Sequence, residues 1–218
     1  MAKVYVKPVQ VKICGITNPQ DALWAANLGA DYIGLNFSPE SPRKVSVDMA
    51  QKIAAQTPPF VKCVGVFVNP SQEEIEKVLK KVSLSALQFH GDEKREDLEN
   101  IKSRFRVQIW KALRVQDEES LKAIENFSGV VDMILLDACV DGQAGGTGKT
   151  FDWGLAQKAK GMGIPILLAG GLNPENVKDA VQIAEPDGVD AASGVEKDGH
   201  PRRKDVDKMK LFISRAKT

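Results

Sequence analysis

The sequence predicts an α/β chain of the (β/α)8, or TIM-barrel, class: one closed parallel barrel spanning residues 1–218 as a single domain. Three observations point to it. Short β-branched runs alternate with amphipathic stretches about eight times, no Ser/Gly-rich linker divides them, and polar residues gather where the runs end. An open doubly wound sheet is the structural alternative. It usually carries G-x-G-x-x-G after its first strand, and here Cys14-Gly15-Ile16-Thr17 occupies that place.

The strands are expected at 9–14 (VQVKIC), 32–37 (YIGLNF), 62–68 (KCVGVFV), 86–90 (ALQFH), 107–113 (VQIWKAL), 133–137 (MILLD), 165–170 (PILLAG) and 188–192 (GVDAA). Helix-like sequence follows each. Asn18-Pro19 and Asn173-Pro174 place a capping side chain before a proline suited to the first helical turn. Gly29 suits the end of the first helix. Ser71 and Glu74 form a capping-box pattern, and Ile75, Val78, Leu79 and Val82 then recur on one helical face.

Alternation along the strands sets side-chain direction. If Val11 and Ile13 face the helices, Lys12 and Cys14 face the barrel axis. The same parity turns Gln88 and His90 inward on the fourth strand, and Leu135 and Asp137 inward on the sixth. In this architecture the carboxyl-terminal rim is where active sites are built. A thiol and a carboxyl therefore share that rim.

Each candidate has a plainer alternative. A free cysteine often packs as a small hydrophobe, and position alone leaves both readings of Cys14 open. Cys63 opens a strand far from the rim and reads as packing, while Cys139 lies in loop sequence close to Asp137. Asp137 ends an apolar run, so its carboxyl must be desolvated, paired or catalytic. His90 alone could be a satisfied core imidazole. Arg43, in SPESPRKVS, is either a solvated surface residue or a fork for a substrate carboxylate.

Two glycine-rich stretches carry more weight together than either does singly. LLAGGLNPENV (167–177) and DAASGVE (190–196) follow the seventh and eighth strands, where barrels of this class commonly bind phosphate with loop amides. GQAGGTGKT (142–150) approaches the P-loop pattern, but Gln143 stands where its first glycine belongs. We read it as an active-site loop, with nucleotide binding as the alternative.

Composition removes several function classes. Thirty basic and 29 acidic residues leave a net charge of +1, so no global field attracts nucleic acid or an anionic membrane. No signal-peptide pattern or bilayer-length apolar run is present, and a soluble, reducing, cytoplasmic setting is expected. The three cysteines are widely spaced, with only His90 and His200 as companions, which argues against structural zinc and a disulfide framework. No cofactor or metal is expected.

With these residues in view, the chain resembles the phosphoribosylanthranilate isomerase family over nearly its whole length. VKICGIT, GADYIGLNFSPESPR, VGVFVN, LQFHGDE, LLDA, GGTGKTFDW, LAGGLNPENV and SGVE carry the resemblance in order. It implies an Amadori rearrangement of N-(5-phosphoribosyl)anthranilate, with Cys14 as general base and Asp137 as general acid. It further implies Arg43 on the anthranilate carboxylate, His90 and Asp190 near the ribose, and Gly170, Gly171, Ser193 and Gly194 in the phosphate loops. The implied partner is a phosphosugar, and the implied assembly a monomer or homodimer.

Three features depart from the family pattern. Ala192 stands where the family often has a serine, GHPRRKD makes a longer link to the last helix, and residues precede VKICG. A rival phosphosugar isomerase, or a relative that also takes a histidine-pathway aminoaldose, would tend to use paired aspartates. A noncatalytic rival would bind a phosphorylated ligand or sense oxidants through Cys14.

The implied chemistry makes physical demands. Asp137 must start protonated, which desolvation favours and a salt bridge to Lys12 or Arg43 would oppose. Cys14 must lose a proton, which calls for a helix amino terminus or a neighbouring cation.

Overall fold

A computed structural model describes residues 8–138 and 152–218. Cys139, the run 142–150 and the residues before Pro8 lie outside the described residues. Eight parallel strands close into a barrel in sequence order: β1 (Gln10–Ile13), β2 (Tyr32–Asn36), β3 (Lys62–Phe67), β4 (Ala86–Phe89), β5 (Gln108–Val115), β6 (Met133–Ala138), β7 (Ile166–Leu168) and β8 (Gly188–Ala191). Pairing of β1 with β8 sets Lys12 opposite Asp190, and pairing of β5 with β6 sets Arg114 opposite Asp137.

The described helices are α1 (Pro19–Asn27), α2 (Val47–Gln56), α3 (Gln72–Leu79), α4 (Arg95–Phe105), α5 (Trp153–Lys160), α6 (Val177–Ala184) and α7 (Val206–Ala216). The ends of α1 and α3 follow the expected caps. Asn18 accepts from the Asp21 amide at 2.9 Å, and the Ser71–Glu74 box closes in both directions. Gly29 follows α1 with φ +96°, a backbone that glycine adopts without strain.

Two stretches differ from simple strand and helix alternation. After β5 the chain forms a 3-10 helix, Glu119–Phe127, whose buried residues Leu121, Ile124 and Phe127 recur every third position. That spacing matches three residues per turn. Asn173 caps a turn rather than α6 itself: its side chain accepts from Glu175 and Asn176, and the helix begins at Val177.

Two apolar layers follow from strand parity. Val11, Ile13, Leu87, Phe89, Leu136 and Leu168 pack outward against the helices. Tyr32, Val64, Trp110, Leu135 and Leu167 fill the barrel, where the Tyr32 and Trp110 rings meet edge to face with centroids 5.0 Å apart. A plugged interior leaves the rim as the place for chemistry. The long link after β8 folds into a short 3-10 turn (Ser193–Val195) and a two-stranded hairpin, β9 (Glu196–Lys197) and β10 (His200–Lys204).

Candidate active site

Cys14 follows β1 at the carboxyl-terminal rim, where its amide donates to Ala191 O on β8 at 2.8 Å. Its sulfur lies over Gly34 of β2: a Cβ placed there would stand 2.7 Å from Cys14 Sγ and 3.2 Å from Lys12 Nζ. Glycine leaves room for both tips. Lys12 is fully buried, and its ammonium bonds Asp190 Oδ1 at 3.0 Å. Burial works against the Lys12 charge, but Asp190 and Cys14 outweigh it and its pKa rises.

The thiol responds in the opposite sense to the expectation. Burial pushes Cys14 up, Lys12 pulls it down, and Asp190 adds to the rise, so its pKa ends above the ordinary value. A cation does stand beside the sulfur. Desolvation still wins, and without substrate the resting group is a neutral thiol.

Arg43 lies in the loop after β2 and packs against Gly15. A Cβ on Gly15 would stand 2.4 Å from Arg43 Cδ, and φ there is +73°, so only glycine fits. The guanidinium is already engaged: Nε donates to Glu196 Oε1 at 2.6 Å and Nη2 to Oε2 at 2.9 Å. This hydrogen-bonded pairing raises the Arg43 pKa. Arg43 is thus neither a solvated surface residue nor a wholly free fork. Its Nη1–Nη2 edge remains for another carboxylate.

His90 follows β4, where the Gln88 side-chain nitrogen contacts its Nε2. Burial, then the charges of Lys12, Lys111 and Arg114, hold the imidazole at a pKa of about 3. It is neutral. Gln88 Oε1 is buried without a hydrogen-bond partner among the described residues.

Asp137 lies near the end of β6, half-buried, beside Arg114 of β5. The two cations weighed as its partners have other bonds, Lys12 to Asp190 and Arg43 to Glu196. Cys14 and Asp137 share one rim, three strands apart around the ring.

Gly170 and Gly171 follow β7 with φ of +82° and +66°. Asn176 Nδ2 pins Gly171 O at 3.0 Å. Gly194 comes so close that a Cβ would stand 2.1 Å from Leu172 O, bringing the two glycine-rich segments into contact beside Ser193. Larger residues would part them.

Three further groups at this rim carry little local signal in the sequence. Glu196 was visible only as the last letter of SGVE, and nothing local linked it to Arg43, 153 residues away. Lys204 is 1% exposed and bonds Glu196 at 2.9 Å, although its surroundings in sequence read as a polar link. Arg114 lay just beyond the expected strand end. Alternation from Trp110 and Ala112 turns it inward as well.

The family model for N-(5'-phosphoribosyl)anthranilate isomerase matches residues 11–215. A relative of that name from Pseudomonas paraeruginosa is 45% identical over 206 residues, 94% of this chain and 93% of its own. A structure of monomers generated from the dimeric phosphoribosylanthranilate isomerase of Thermotoga maritima superposes with a TM-score of 0.84 at 42% identity, covering 96% of this chain and 98% of that one. A phosphoribosyl anthranilate isomerase in complex with reduced 1-(o-carboxyphenylamino)-1-deoxyribulose 5-phosphate gives 0.85 at 41% identity, with the same coverage. The chain is an isomerase with a (β/α)8 fold and belongs to the N-(5'-phosphoribosyl)anthranilate isomerase family.

Proposed function

We propose that the protein converts N-(5-phosphoribosyl)anthranilate to 1-(2-carboxyphenylamino)-1-deoxyribulose 5-phosphate, the aldose–ketose step of tryptophan biosynthesis, with Asp137 as general acid and Cys14 as general base. The observation that carries this reading is the buried Cys14, Lys12 and Asp190 cluster at the rim that also holds Asp137. Asp137 protonates the furanose oxygen as the anilino nitrogen lone pair opens the ring to an iminium. Cys14 then removes the proton from the adjacent carbon, giving an enol that settles as the ketone. Protons move, and the product is an isomer.

The neutral resting thiol bears on the second step. Lys12 favours the thiolate, and the iminium makes the carbon proton acidic enough for a scarce base. The phosphate is held by the backbone at Gly170, Gly171, Ser193 and Gly194, where glycine lets amides approach oxygens closely. Arg43 takes the anthranilate carboxylate, and neutral His90 and the Lys12-bonded Asp190 face the ribose. Binding energy at the phosphate, remote from the reacting carbon, orients the sugar between acid and base.

Purified protein given the substrate should turn it over. Asp137→Asn and Cys14→Ala should each lose roughly 10²-fold or more in kcat while still binding the reduced product analogue. Turnover like that of the wild type in either variant refutes that residue's role. Of the two assembly states considered, the Thermotoga relative is named as a dimer, and light scattering on this chain distinguishes them.

A further inference from the structure

The hairpin β9–β10 surrounds one residue. Glu196, at its start and 7% exposed, holds Arg43 by two bonds of 2.6 and 2.9 Å. Lys204, at its end, bonds the same carboxylate at 2.9 Å and Ala192 O at 2.9 Å, while its amide donates to Asp21 Oδ2 at 2.8 Å. Between them, Arg202 Nη1 donates to Pro42 O at 3.0 Å and to Lys44 O at 2.9 Å, the carbonyls on either side of Arg43. Thr17, just past Gly15, donates its hydroxyl to Arg202 O. Both the backbone and the side chain of Arg43 are therefore tied to one hairpin.

We propose that this hairpin is a specificity device: Glu196 is a positioning residue that locks one edge of the Arg43 guanidinium so that the other edge selects substrates bearing an aryl carboxylate. The inference rests on the reading of Arg43 given above and assigns the control of that residue. A free arginine has many rotamers, and fixing them before binding removes a cost that the ligand would otherwise bear. Glu196 Oε1 accepts from both Arg43 and Lys204 and Oε2 accepts from Arg43, so the carboxylate is turned toward these two cations. It acts through Arg43.

The test uses two ligands, the reduced carboxyphenylamino-deoxyribulose phosphate and its anilino counterpart lacking the carboxyl group. Wild-type protein should prefer the first by roughly 10²-fold, the scale of a bidentate charge-assisted pair. Glu196→Gln should cut that preference about tenfold and raise KM, with kcat changed by less than about threefold and the anilino ligand bound as before. Because the exchange leaves Lys204 buried beside a neutral amide, Arg202→Ala serves as a second, exposed probe of the same device and should cut the preference about threefold.

In an Arg43→Ala background neither change should add anything, since all act through one side chain. Equal weakening of both ligands, or additive losses on Arg43→Ala, overturns the hairpin's role. So does full preference in both hairpin variants when Arg43→Ala has lost it. Wild-type protein without any preference overturns the reading of Arg43 itself.

Discussion

Two buried lysines, Lys12 on β1 and Lys111 on β5, each bond a carboxylate at 3.0 Å, yet they serve different ends. Lys111 points outward. Its ammonium also reaches Gly91 O at 2.6 Å and Phe89 O at 3.4 Å, and its partner Glu93 accepts from the amides of Asn69 and Gly91. Three acceptors for three protons make a closed rivet between two loops. Lys12 points inward, where Asp190 takes one bond and a thiol stands alongside. A lysine with spare hydrogen-bonding capacity beside a nucleophile can take part in chemistry; a saturated one holds a fold together.

Lys12→Met sharpens the contrast with the largest effect. It removes the cation that favours the Cys14 thiolate, so kcat should fall by roughly 10²-fold, and the alkaline limb of the kcat profile should move to still higher pH. An unchanged profile would separate the lysine from the thiol. Lys111→Met leaves Glu93 buried without its counter-charge and should cost about 3–5 kcal/mol in urea unfolding. The folded fraction should turn over normally, and a lost kcat would break the comparison.

His90 gives an effect that is spread over pH and has a definite sign. Its folded pKa of about 3 lies below the ordinary value, so the unfolded chain binds the extra proton between about pH 6.5 and 3. Stability is full above that window and falls as pH drops through it, by about 1.4 kcal/mol per unit from this group. His90→Asn should flatten that part of the slope. Lys81, exposed and 2.9 Å from Asp48, has as short a bond as either buried lysine. Lys81→Ala should leave the melting temperature where it was, because solvent screens what burial magnifies. Any clear drop there would mean that distance, not burial, sets the scale.

The difference between the two lysines was half legible in the sequence. Parity alone put Lys12 on the axis and, by the same rule, puts Lys111 among the helices, because strands alternate and a barrel has two faces. The eight strands were legible for a related reason: each apolar run is short, β-branched and bounded. What stayed hidden depends on contacts far apart in the chain. Nothing near Arg43 announces Glu196, and nothing near Cys14 announces that burial outweighs Lys12. The last link read as a polar connection because four of the five β10 residues are exposed, while its one buried member, Lys204, looks in sequence like the others.

Closure of β1 against β8 joins residues 178 positions apart through the Lys12–Asp190 bond. A ribosome must therefore release most of the polypeptide before that lysine can shed its water and find its counter-charge. Until then the first strand carries an ammonium with no dry place to go, and contacts of such sequence range form slowly. Catalytic competence should arrive last and all at once, and fragments ending before Asp190 should collapse without ever gaining turnover.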